Sequence, residues 1–341
     1  MKIWKILLIS LTLIQCDDNS SSDPGGATLT PQYAYITDGA DLKVIDVANP
    51  AAPTFVNNIA MNTSYFVSVS PDVAYVAHYD VTEPYLSLVT INNTSSLSAT
   101  AVAKSSANNF SILSDLYTIQ GTGYITDLFR GLNVVDTTNT SLITTANMGS
   151  DAMSVTKLNN HLYIIDQVNG LSKYSIATPS NPTFTNVRNN TDVDISSYAD
   201  TNFGQFHSWV ENDGTFIYVA NIIDKKLKKL DAINLNLISE VAFEGYATAF
   251  AIHNGHAYIT SKAGPSPLAT SFDGVSMFDL STMTFTNFKS LNRASGVALH
   301  GNYCYVTDAD GLHIYDISSG SLTSAGTVFA NGFGNFIALG E

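Results

Sequence analysis

The chain has 341 residues and a formal net charge of −14 at pH 7, from 15 Lys and Arg against 29 Asp and Glu. A balance that acidic argues against nucleic-acid binding, which needs a basic face to neutralise phosphates, and carboxylates spread along the chain suit solubility. Of its two cysteines, Cys16 lies at the end of an N-terminal apolar run and only Cys304 remains, so processing at Cys16 would leave no intrachain disulfide.

Lys2 and Lys5 precede the apolar stretch 6–14, which is too short to span a bilayer and reads as a signal peptide over residues 1–15. Leu13-Ile14-Gln15-Cys16 resembles the lipobox of bacterial lipoproteins, with Gln15 standing where a small residue is usual. That resemblance implies lipidation of Cys16. An ordinary signal peptide cut elsewhere, or an uncleaved anchor, is the alternative. Residues 16–31 are polar and rich in Asp, Ser and Gly, the composition of a flexible tether that buries nothing.

From residue 32 onward one pattern recurs: a short strand with an aromatic-aliphatic step, an Asp, Asn or Gly turn, and a second strand often closing on Asp. Tyr35-Ile36-Thr37-Asp38 leads to Leu42-Lys43-Val44-Ile45-Asp46, Tyr124-Ile125-Thr126-Asp127 to Leu132-Asn133-Val134-Val135-Asp136, and Tyr305-Val306-Thr307-Asp308 to Leu312-His313-Ile314-Tyr315-Asp316. Looser copies start at Tyr75, Tyr163, Tyr218 and Tyr258, and the seven anchors lie 39 to 55 residues apart. That period suits a four-stranded propeller blade. Val, Ile, Tyr and Thr dominate each copy and helical periodicity is nearly absent, so the fold class is all-β.

Apolar stretches ahead of the anchors, such as Val67-Ser68-Val69 and Val297-Ala298-Leu299, predict the innermost strand of each blade. The C-terminal Asn335-Phe336-Ile337-Ala338-Leu339 is an inner-strand pattern without an anchor, and Tyr33-Ala34-Tyr35 is an anchor without an inner strand. The prediction is a seven-bladed β-propeller over residues 32–341, closed by pairing of the N- and C-terminal strands and expected to be monomeric.

The stretch from Leu42 through Asp46-Val47-Ala48-Asn49-Pro50, and residues 171–182 with Ala177-Thr178-Pro179-Ser180-Asn181-Pro182, resemble the LVIVD-repeat proteins, which are secreted or surface-anchored bacterial propellers. Ser175 stands where that repeat expects Asp. The resemblance implies fold and compartment, and no reaction.

Aligning the blades places Asp151, His207, Tyr246 and Arg293 near the mouth of the central channel, a set able to bind an anionic or sugar-like ligand or to position a water. Ordinary solvent-facing loop residues are the plainer explanation. His253 and His256 flank the turn Asn254-Gly255 on different strands, can face opposite ways, and have no third ligand in sight, so no metal or cofactor is assigned. The Asp-bearing turns lack a calcium loop's bidentate Glu and suit tight hairpins instead. Lys225-Lys226-Leu227-Lys228-Lys229 reads as a solvated hairpin or edge, and Cys304 as a small buried hydrophobe. No hydrolase or phosphate-loop motif is present. The expectation is a cell-envelope lipoprotein, attached to the membrane through Cys16, that presents its propeller to a protein or glycan. The alternative is an extracytoplasmic hydrolase or lactonase-like enzyme working at the channel mouth.

Overall fold

A computed structural model of the chain describes residues 32–78, 86–94, 96–101, 113–119, 121–128, 130–137, 141–146, 152–166, 169–188, 208–263, 272–329, 334 and 336–340. The predicted signal peptide, Cys16 and the tether lie outside these residues. The described strands form seven four-stranded antiparallel sheets, the blades of a β-propeller, with no helix among the described residues. Blade 1 takes its inner strand from the C-terminus: Phe336–Gly340 pairs antiparallel with Tyr33–Thr37, setting Tyr35 opposite Ala338. The ring is closed by both termini, as the orphaned half-blades in the sequence predict.

The repeat Tyr-x-Thr-Asp has a separate physical task for each letter. All seven anchor tyrosines sit in second strands and are buried, none more than 6% exposed, filling the seams between blades. Tyr124 donates to Pro179 O at 3.0 Å and Tyr163 to Ala232 O at 2.7 Å, each on the following blade. The Tyr35 hydroxyl is buried with no hydrogen-bond partner among the described residues. Thr126 and Thr37 donate to the inner-strand backbone of the next blade, at Met153 O (3.1 Å) and at Tyr65 O, and Thr260 donates to Ser295 O (3.3 Å), just ahead of the inner strand of blade 7. Asp38 and Asp308 accept backbone N–H groups of their own turns, and each also meets a third-strand side chain, the Lys43 ammonium at 2.7 Å and the His313 ring at 3.0 Å. Turn chemistry therefore accounts for these carboxylates.

The third strand's final Asp caps the next turn: Asp46 accepts from Ala48 N and Asp316 from Ser318 N. At the divergent copy the Ser175 hydroxyl takes over that role, accepting from Ala177 N at a longer 3.4 Å.

The lysine cluster differs from expectation. Lys226–Asp231 is the third strand of blade 5, with Lys228 4% exposed and paired to Asp224 at 2.5 Å. Lys226 pairs with Glu240, and the Lys229 ammonium lies 4.1 Å from the centre of the Phe216 ring. A run of like charges is tolerated in a strand because alternate residues face opposite sides and each finds its own anion or ring.

Two faces follow from strand direction. Inner strands begin at the upper face and end at the lower face, where tight turns return the chain into the second strand. The polypeptide enters blade 1 from the lower face at Gln32.

Candidate functional site in the central channel

The inner strands line the axis of the ring, so whatever they carry at equivalent positions meets at the centre. Phe66 of blade 2, Trp209 of blade 5 and Phe336 of blade 1 occupy one such level. Ring centroids are 4.1 Å apart for Phe66 and Phe336, 5.7 Å for Trp209 and Phe336, and 6.1 Å for Phe66 and Trp209. Blade 5 adjoins neither blade 1 nor blade 2, so these contacts cross the axis. The channel is plugged by aromatic packing, in the tilted geometries such rings favour.

Two residues further along the same strands, on the lower side of the plug, stand Ser68, Tyr117, Thr156 and Glu211 of blades 2 to 5. Blades 6, 7 and 1 place Ala251, Ala298 and Ala338 at this level. On the polar side a cavity of about 70 Å³ is bordered by Ser68, Asp115, Thr118, Thr156, Trp209, Glu211 and Phe250 among others. It has room for a few waters or for one protruding group of a ligand. Among the described residues its lining holds two carboxylates and no cationic side chain.

The carboxylates differ in use. Asp115 accepts from Leu116 N at 2.8 Å, Val155 N at 3.0 Å and the Ser154 hydroxyl at 2.9 Å, and Ser154 Oγ in turn accepts from Val210 N at 3.1 Å. One side chain thus stitches the inner strands of blades 3, 4 and 5. Desolvation raises the Asp115 carboxyl to about 6, against the lowering effect of those hydrogen bonds. Glu211 Oε2 accepts from the Thr156 hydroxyl at 3.3 Å, while Thr156 Oγ1 accepts from Asn212 Nδ2 at 2.9 Å.

Of the channel-mouth residues expected from sequence, Asp151 and His207 lie outside the described residues. Tyr246 opens the inner strand of blade 6, half-buried, with the Lys225 ammonium 4.9 Å from its ring centre. Arg293 is exposed just ahead of the inner strand of blade 7, in a left-handed backbone conformation with φ of 60°. Both are on the upper face, and neither lines the cavity.

His253 and His256 are register partners and therefore share a face of the hairpin, correcting the expectation that they face apart. His253 Nε2 contacts Gly301 O at 2.8 Å and His256 Nδ1 contacts Asn254 O at 3.0 Å. Among the described residues no group of three potential ligands assembles to hold a metal. Cys304 is fully buried, and burial pushes its thiol far up, as befits a small hydrophobe.

Fold and channel together define a seven-bladed propeller with an aromatic plug at its axis. The chain carries LVIVD repeats: the LVIVD repeat family matches residues 29–61, 149–188 and 293–324. These lie in blades 1, 4 and 7 and include both Asn-Pro turns singled out in the sequence. No curated protein matches the chain in sequence. Among solved structures it is similar to a functionally unknown protein from Desulfotomaculum acetoxidans DSM 771, 13% identical with a TM-score of 0.66 over 91% of this chain and 99% of that one. It is similar to apo AztD from Citrobacter koseri, 10% identical with a TM-score of 0.61 over 92% and 100%. It is also similar to the dihydro-heme d1 dehydrogenase NirN in complex with DHE, 15% identical with a TM-score of 0.59 over 93% and 76%. At such identities the likeness is one of fold.

Proposed function

We propose that the chain is an extracytoplasmic lipoprotein, held to a membrane through Cys16, whose propeller binds a glycan without transforming it. The observation that carries the reading is the plugged channel with its cavity of carboxylates and hydroxyls beside Trp209. Sugar hydroxyls are donors and acceptors at once, and a lining of Glu211, Thr118, Thr156 and Ser68 offers matching groups against an aromatic wall. Asp115 is committed to three bonds within the protein, which suits an architectural part rather than a reacting one.

The two tryptophans are Trp4, within the predicted signal peptide, and Trp209. In the processed protein Trp209 would report alone. Titration with neutral oligosaccharides should shift its fluorescence saturably, and Glu211→Gln should weaken the response. A flat titration across neutral and acidic glycans would sink the proposal. Anchorage has its own test: Cys16→Ala should abolish labelling by a fatty-acid analogue and release the protein from membranes, and unchanged attachment would overturn it.

One observation favours a hydrolase instead: Asp115 has a carboxyl raised to about 6 and lines the same cavity as Glu211, and carboxylates in unlike environments are the pattern of glycoside hydrolysis. Turnover of aryl glycosides that disappears in Glu211→Gln would establish that reading. The NirN likeness shows that a dehydrogenase uses this fold, and a fold does not choose a function.

A further inference from the structure

The exposed apolar side chains gather at one level of the disc. Phe55, Phe184, Leu237 and Phe285 stand in the outer strands of blades 1, 4, 5 and 6, each opposite the penultimate residue of its third strand and just past the register shift. Third strands run down to the lower face, so these four lie at equivalent heights close to it. The three phenylalanines are each more than half exposed. Among the exposed large hydrophobics of the described residues, only Val187 and Ile223 lie nearer the upper face.

Ile233 is the most prominent of them. It sits in the turn that leads into the outer strand of blade 5 and is 80% exposed. That turn is pinned from two blades. Asp231 Oδ1 accepts from Ile233 N at 2.8 Å and from Asn234 N at 2.9 Å, and Leu235 N donates to Asp231 O at 2.9 Å. From blade 4, the Tyr163 hydroxyl and the Lys173 ammonium both donate to Ala232 O, at 2.7 and 2.8 Å. The backbone is fixed while the isoleucine is held out in water.

The same rim is uncharged. Residues 47–53, 176–182, 232–236, 280–283 and 317–322, which join third to outer strands in blades 1, 4, 5, 6 and 7, contain no Asp, Glu, Lys or Arg. The carboxylates at their roots, Asp46, Asp231, Asp279 and Asp316, accept from N–H groups of those turns. Turns from second to third strand, on the opposite face, carry Asp38, Asp224, Lys225, Asp308 and Asp310. In a chain of net charge −14, the lower rim is the part that leaves water at least cost.

Blade 1 stands across the ring from blades 4 and 5, so a peptide or small partner seated on one cannot reach the other. A plane reaches them all. The described chain also begins on this face at Gln32, and Cys16 lies sixteen positions earlier in the sequence. We propose that the lower rim rests on a zwitterionic lipid bilayer, with Phe55, Phe184, Ile233 and Phe285 entering the headgroup region. The contact is weak enough by itself to be lost on dilution and adds to a covalent anchor, as paired membrane signals do.

The test uses the full chain carrying Cys16→Ala, so that a lipid at that residue plays no part, with vesicles of phosphatidylcholine at high lipid concentration. Ile233→Trp puts a reporter at the tip of the pinned turn. Its emission should move to shorter wavelength on adding vesicles and be quenched by brominated acyl chains, whereas Ile223→Trp, on the upper face, should not respond. In flotation, Phe184→Ser, Ile233→Ser and Phe285→Ser together should lower partition by about tenfold or more. Val187→Ser with Ile223→Ser, equally apolar but off the rim, should leave it unchanged. Thermal melts show that each variant is folded. A reporter at position 233 that is blind to vesicles, or rim substitutions that leave partition unchanged, overturns the proposal. So does gel filtration in which the rim substitutions convert a dimer into a monomer, which would give the face to a second copy of the chain. None of these outcomes bears on labelling of Cys16, so lipid attachment stands or falls by its own test.

Discussion

Deleting the last ten residues, 332–341, removes the inner strand of blade 1 and leaves Tyr33–Thr37 as an open edge. The loss has three parts. Ile337, 6% exposed, gives up about 2 kcal/mol of apolar burial and Ala338 somewhat less. Phe336 leaves the axial plug, forfeiting its own burial and ring contacts worth about 1 kcal/mol apiece. The ladder of five paired residues adds backbone hydrogen bonds at roughly 1 kcal/mol each. Together these reach roughly 11 to 14 kcal/mol, which matches or exceeds most of the typical stability range of about 5 to 15 kcal/mol. The truncated chain should therefore be recovered as aggregate, its exposed edge open to pairing with other chains. Soluble yield, size-exclusion chromatography and a melt followed by Trp209 fluorescence read the result. Phe336→Ala, which keeps the strand, should cost about 3 to 5 kcal/mol, well short of the deletion, and shift the Trp209 emission. A truncated chain that is a soluble monomer with an unchanged melting midpoint would refute the closure.

Three further outcomes follow from the seams and the channel. The Asp115 carboxyl is raised from 3.8 in the unfolded chain to about 6 in the fold, so the folded state holds the proton more tightly. This residue's stabilisation is thus complete below the lower value and lost as the pH climbs through the higher one; wild type minus Asp115→Asn, in urea melts, should fall by about 2 to 3 kcal/mol between pH 4 and pH 7, and a flat difference contradicts the assignment. Tyr163→Phe should cost about 1 kcal/mol through the lost bond to Ala232 O, while Tyr35→Phe, whose hydroxyl has no partner among the described residues, should be neutral; equal effects in chemical denaturation would show that the hydroxyls do not matter. A methyl group on Gly326 would stand 2.1 Å from Pro50 O across the seam of blades 7 and 1, so Gly326→Ala should destabilise by about 1 to 3 kcal/mol, and an unchanged melt would mean the seam has slack.

The propeller was legible because seven blades repeat one packing problem. A tyrosine must fill each seam, a second-strand turn often uses Asp, and an incomplete pattern at each end can only be completed by the other. Outer strands escaped the reading. Thr54–Ala60 and Thr183–Arg188 face solvent widely, with Phe55 and Phe184 more than half exposed, so no apolar alternation marks them. The channel cavity escaped for a different reason. Asp115 belongs to blade 3 and Trp209 and Glu211 to blade 5, and nothing local says that they meet. The available signal was a carboxylate at an inner-strand position where other blades carry Ala251, Ala298 and Ala338. The expected set of Asp151, His207, Tyr246 and Arg293 was sought at the upper mouth, whereas the cavity lies below the plug.

The direction in which the chain joins blade 1 fixes how an anchored propeller would be displayed. Gln32 N donates to Gly340 O at 3.1 Å, so the described chain begins on the lower face of the disc. A lipid on Cys16 would hold the lower turns, among them His253 and His256, toward the bilayer. Tyr246 and Arg293, on the upper face, would then look outward. An envelope component embedded in the same membrane would meet the opposite side, where the lower end of the channel and its acidic cavity lie.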